Sequence, residues 1–153
     1  MAALTTIDIA RLWAAAFAAD RHLKHWSEAN YERPFMVQIG ADMRRPPNAG
    51  NAPFITIFPD TTHTGPQRAE HSHELGIVAG ILDEEWAEHE GITEMQALLR
   101  LNELCPMLEA AMRNSLMQAR ILEFTTEYEI VEFPLVMALL TITVEETLPV
   151  GRR

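Results

Sequence analysis

Arg120-Ile-Leu-Glu-Phe-Thr-Thr-Glu-Tyr-Glu-Ile-Val-Glu-Phe-Pro-Leu-Val-Met-Ala-Leu-Leu-Thr-Ile-Thr-Val-Glu-Glu146 is the stretch whose reading decides the fold. Its first half alternates with the period of a strand. Glu123, Thr125, Glu127 and Glu129 fall on one face, and Phe124, Thr126, Tyr128 and Ile130 on the other. Its second half, Leu135 to Val144, is almost wholly apolar and closes on the β-branched run Thr-Ile-Thr-Val. That texture predicts a strand covered on both faces. Pro134 has no N–H to give a ladder, so it belongs at the join or at the first position of the second strand. Two such strands need further strands and a helix to cover them.

Upstream, Thr93-Glu-Met-Gln96 fits a capping box. It would open a helix that places Leu98, Leu101, Leu104, Cys105, Leu108, Ala111 and Met112 on one face, with a kink at Pro106. Before it, Asp83 to Glu90 is an acidic run closing at Gly91. Ser72 to Asp83 and the proline-bracketed Pro53 to Pro59 read as two strands of a hairpin with an extended arm, leaving a long loop at about 59–71. Phe35 to Ile39 is a short strand, followed by a breaker-rich loop at about 40–52. A first helix, capped by Thr5 or Thr6 with Asp8 in its first turn, should run to about Ser27–Asn30. Its stripe is Ile9, Leu12, Trp13, Ala16, Phe17, Leu23 and Trp26. The expected architecture is α+β: a mixed, mainly antiparallel sheet packed by two long helices, in the order α-β-β-β-α-β-β.

The 153 residues fit one domain, 1–153, with 48% hydrophobic and 22% charged side chains. A formal charge of −10 repels nucleic-acid phosphates and argues against a stably DNA-bound module. It suits a surface that nucleic acid must slide past, and equally one kept acidic for solubility. The single cysteine, Cys105, excludes an internal disulfide framework and a multi-thiolate metal site. No signal peptide is expected from the N-terminal residues, and 134–144 is too short to span a bilayer, so a cytoplasmic protein is the default.

The metal-ligand pattern with most promise is His71-Ser-His73, whose imidazoles would share one strand face, with His63 placed to cross the arm. Surface or interface histidines are the expected reading, because no third ligand has a fixed place: Glu74 is adjacent and faces the other side. Paired acids such as Glu84-Glu85 and Glu145-Glu146 read as solvated faces. No nucleophile elbow, phosphate loop, dinucleotide fingerprint or zinc-finger spacing is present. No catalytic residue, cofactor or metal is assigned. The open alternative is a small metal-dependent enzyme or ligand-binding protein using His71 and His73.

The element order resembles that of the tail terminator, or tail completion, proteins of long-tailed bacteriophages. The cues are Ala-Pro-Phe-Ile-Thr-Ile-Phe-Pro (52–59), His-Glu-Leu-Gly-Ile-Val (73–78) and the run 133–144, within a pattern spanning nearly the whole chain. The resemblance implies a non-catalytic virion protein assembled in the host cytoplasm. Its copies would form a hexameric ring that caps the tail tube protein, stops tube growth and meets the head–tail connector or neck protein. Genome DNA would pass through the lumen without specific binding, and no membrane is involved. On loop length alone, Arg44, Arg45, His63, Gln67, Arg68 and His71 become the candidates for contacts between subunits or with the tube.

Overall fold

The computed structural model describes residues 4–66 and 71–147. The closing stretch forms two long strands, β6 (Ala119–Glu132) and β7 (Leu135–Glu146). Pro134 lies in the turn between them, as its missing N–H requires. Before them come helices α1 (Thr6–Ala19) and α2 (Arg21–Tyr31), then strands β1 (Met36–Ile39), β2 (Phe54–His63) and β3 (Ser72–Leu82). A small hairpin, β4 (Trp86–His89) and β5 (Ile92–Met95), leads into helix α3 (Gln96–Ser115). The architecture is α+β: a five-stranded sheet in the order β1-β2-β3-β7-β6, beside the separate β4-β5 pair. Only β1–β2 is parallel; the other neighbours are antiparallel.

All three helices contribute to one core, packed on the sheet face that carries Ile55, Ile57, Leu75, Ile77, Ala79, Val136, Ala138, Leu140 and Ile142. Ile9, Trp13 and Phe17 come down from α1, and Leu101, Leu104, Leu108 and Met112 from α3. These are the i, i+3, i+4 positions of the two stripes, so the helical period dictates which face is buried. Leu12 and Leu98, expected on the stripes of α1 and α3, are 40% and 37% exposed.

Four expectations are corrected. The first helix is two helices, because Asp20 leaves the helical region (φ −70°, ψ 122°) and its side chain accepts from the Leu23 N–H. Asp20 thus ends α1 and caps α2, and a competing side-chain cap outweighs the helix propensity of the alanine run. Thr93 does not cap α3; it sits in β5, and the helix begins after Met95 without a side-chain cap. The loop expected from residue 59 starts later, since β2 stays paired with β3 through His63 and Ser72, with a bulge between Pro59 and Thr61. Lastly, β7 is fully buried on one face and only partly covered on the other. Val136 to Val144 alternate between buried and partly exposed side chains, with Thr141 exposed.

The face of the sheet opposite the helices is covered only in part. The loop 40–52 crosses it, so that Met43, Pro46 and Pro47 line a groove with Phe54, Thr56, Phe58, Val78 and Met137. Phe54 lies flat over Gly80, its register partner, and a Cβ on Gly80 would fall 2.2 Å from the Phe54 ring. Glycine here is a packing requirement. Beyond the loop's reach, β6 presents Glu123, Thr125, Glu127 and Glu129 as an exposed ladder on this open face.

Candidate functional site

The predicted histidine pair lies at the end of the sheet where α1 begins. His73 projects from β3 into the core side and is only 1% exposed. Its Nε2 is 3.2 Å from Glu146 Oε2, and its Nδ1 is 2.8 Å from Thr6 Oγ1. Thr6 Oγ1 in turn bonds Thr62 Oγ1. His71 turns its Nδ1 to the same Glu146 oxygen at 3.3 Å, and its Nε2 faces the Gly65 carbonyl at 3.3 Å. The Leu4 N–H donates to Glu146 Oε1 at 3.2 Å. Surface or interface histidines were expected; His73 is instead a core residue, its ring satisfied by one carboxylate and one hydroxyl.

Hydroxyl, imidazole and carboxylate in series have the order of a nucleophile relay. The surroundings give that order a structural meaning. Thr6 is 5% exposed and Glu146 1%, so no substrate atom reaches the hydroxyl. The Glu146 oxygen itself fills the space between the two rings. Among the described residues, no three His, Cys, Asp or Glu side chains are disposed to hold a metal ion. The cluster ties the start of α1, β2, β3 and the end of β7 together. His63, proposed as a third ligand, is exposed at the end of β2.

The remaining predicted contacts are placed as follows. Arg44 and Arg45 sit at an exposed turn. Asp42 holds the Arg44 guanidinium at 3.0 and 3.1 Å and accepts from the Arg44 N–H, so the turn is pre-shaped. That arginine bond also holds the Asp42 carboxyl below its usual range. Gln67 and Arg68 lie outside the described residues. The structure thus separates the candidates: Arg44 and Arg45 on the open-face loop, His71 turned inward, and His63 exposed at a strand end.

Sequence reasoning missed the hairpin β4–β5. Glu90 and Gly91 both have positive φ (52° and 79°), the pairing of a tight hairpin turn. The signal was an X-Gly pair between Trp-Ala-Glu-His and Ile-Thr-Glu-Met, masked by its acidity. The hairpin's root is clamped. Asp83 accepts from the Tyr31 hydroxyl at 3.1 Å and from the Glu85 N–H at 3.0 Å, and lies 3.4 Å from Arg100 Nε. Arg100 also stacks over the Tyr31 ring at 5.6 Å. This clamp presents Trp86, 55% exposed, against Phe133, with ring centroids 6.2 Å apart.

Burial, then the Asp83 charge and the hydrogen bond to it, push the Tyr31 hydroxyl well above its ordinary value of 10.0. Burial pushes the Cys105 thiol from 9.0 up to about 11. Each proton is held more tightly in the folded chain than in the unfolded one. The stability they contribute is therefore whole below about pH 9 and is lost as pH climbs towards 11 and beyond. The urea midpoint should fall between pH 8 and pH 10.5, and Tyr31→Phe with Cys105→Ala should flatten that fall. An unchanged slope in the double variant would show that other groups carry it.

Among the described residues no helix is long and apolar enough to cross a membrane. Compared with known protein families and with curated proteins, the chain returned no match.

Proposed function

We propose that this protein is a ring-forming structural component of a bacteriophage tail, a tail terminator that caps the tail tube, ends its growth and joins it to the neck. The observation that carries the reading is the one-sided cover of the sheet. Helices occupy one face, whereas the other bears the exposed ladder Glu123, Glu127 and Glu129. A ring that turned those ladders inward would line its lumen with negative charge, and DNA would pass without adhering. The edge strand β6, 14 residues long, offers unpaired backbone groups along its outer side, a surface that a neighbouring copy can cover. Docking copies through two different patches closes a ring when the rotation per copy fits.

Light scattering and negative-stain imaging of the purified protein, alone and with the tail tube protein from the same genome, test the reading. The expected result is a closed ring, with tubes of arrested length in the mixture. A monomer at every concentration and in the presence of tube protein would overturn it. The alternative, a metal-dependent enzyme using His71 and His73, predicts a stoichiometric ion lost on changing both histidines to alanine. The inward geometry around Glu146 gives that alternative no open coordination position to work with.

A further inference from the structure

Two separate surface features of this chain complement each other. The first is the open-face groove, about 150 Å³ and lined mainly by Met43, Pro46, Pro47, Phe54 and Phe58. Thr56 contributes to the same groove. Its hydroxyl is buried and finds no hydrogen-bond partner among the described residues. At 1% exposure Thr56 lies beneath the floor of the groove, so the surface offered to an occupant is apolar. The groove's rim is basic: Arg45 is exposed beside Met43, and the Asp42–Arg44 bonds fix the turn that carries them.

The second feature is the aromatic knob at the β4–β5 hairpin. Trp86 and Phe133 stand 55% and 44% exposed and in mutual contact. Glu84, Glu85 and Glu88 flank Trp86 and are exposed. A tryptophan brings a large apolar ring and a single N–H donor that seeks an acceptor when buried. The groove supplies the apolar walls and the opposite charge at its rim.

We infer that Trp86 of one copy seats in the groove of the next, its acidic flank facing Arg45. This deepens the ring reading above and rests on it. The occupant is a second copy because an exposed aromatic pair with an acidic flank complements apolar walls with a basic rim. The two are different patches, so the contact runs head-to-tail and repeats from copy to copy. Both are held before they meet, the knob by the Asp83–Tyr31–Arg100 clamp and the rim by Asp42, which limits the ordering lost on docking.

Trp86 also reports on the contact. Trp13 and Trp26 are buried at 0% and 8% exposure, so a blue shift of emission with rising concentration belongs mainly to Trp86. Two surface variants complete the test: Trp86→Ala lacks the knob, and Met43→Asp with Arg45→Glu spoils the groove's rim. Each alone should associate at least about 30-fold more weakly than the unmodified chain, the scale of losing an aromatic anchor. Mixed together they should form one-to-one pairs and nothing larger, because each retains the half the other lacks. Circular dichroism and urea midpoints of both variants check that they remain folded. If the unmodified chain forms rings and either variant forms them equally well, or if the mixture does not pair, this contact is wrong and the ring reading stands. If the unmodified chain stays monomeric with tube protein present, both fall.

Discussion

Glu146→Ala is expected to lower the free energy of unfolding by about 2–5 kcal/mol, because it leaves the buried His73 ring and the Leu4 N–H without their acceptor, at about 1–3 kcal/mol each. The carboxylate is 1% exposed and stands between two imidazoles at 3.2 and 3.3 Å while it accepts the Leu4 N–H. Its loss would leave the His73 ring and that N–H facing a void at the point where α1 joins the sheet. Urea unfolding at neutral pH measures the change. Glu146→Gln keeps the volume and one acceptor, so it should lose distinctly less. A cost below about 1 kcal/mol for Glu146→Ala, the level of an exposed pair, would show that the cluster is not held by this carboxylate.

Trp13 carries the second large effect. It is fully buried between α1 and the sheet core, and truncation to alanine should cost about 3–5 kcal/mol through lost contacts and the cavity left behind. Trp13→Phe should behave differently. The indole Nε1 is buried without a hydrogen-bond partner among the described residues, and an unmade bond of that kind costs about 1–3 kcal/mol. Phenylalanine gives up part of the ring volume but removes the orphan donor, so its net cost should be far smaller than that of alanine. Equal losses in the two variants would mean that volume alone matters at this site.

These two positions illustrate different degrees of legibility. Trp13 was readable as core because it shares a helical stripe with Ile9 and Phe17, and periodicity states which side of a helix is dry. Glu146 was not. In sequence it is the second of two adjacent acids at a chain end, a pattern that reads as solvated. Only the pairing of β3 with β7, which sets His73 opposite Val144, brings the carboxylate under the two histidines. Asp20 shows a local version of the same limit. Its neighbours favour helix, yet the side chain of Asp20 can cap a new one, and the packing of α2 against α3 selects the break.

The groove and the knob were less legible still. Arg44 and Arg45 were marked by loop composition, but nothing in that loop's sequence says that it folds back over the open face of the sheet. Trp86 was hidden inside an acidic run, although the Glu90-Gly91 turn between alternating segments was a usable hairpin signal.

By itself, the sequence determined the α+β class, the long strands at the chain's end, the buried stripes of α1 and α3, and the acid ladder on β6. Each follows from a local period, 2.0 or 3.6, that a single segment carries. The tertiary structure alone decided that β7 is dry on one face, that His73 and Glu146 share a buried cluster, and that the loop 40–52 shapes a groove over the open side. Those features depend on strand order and on chain returning from far along the sequence, and no local period encodes which distant segment arrives to cover a face.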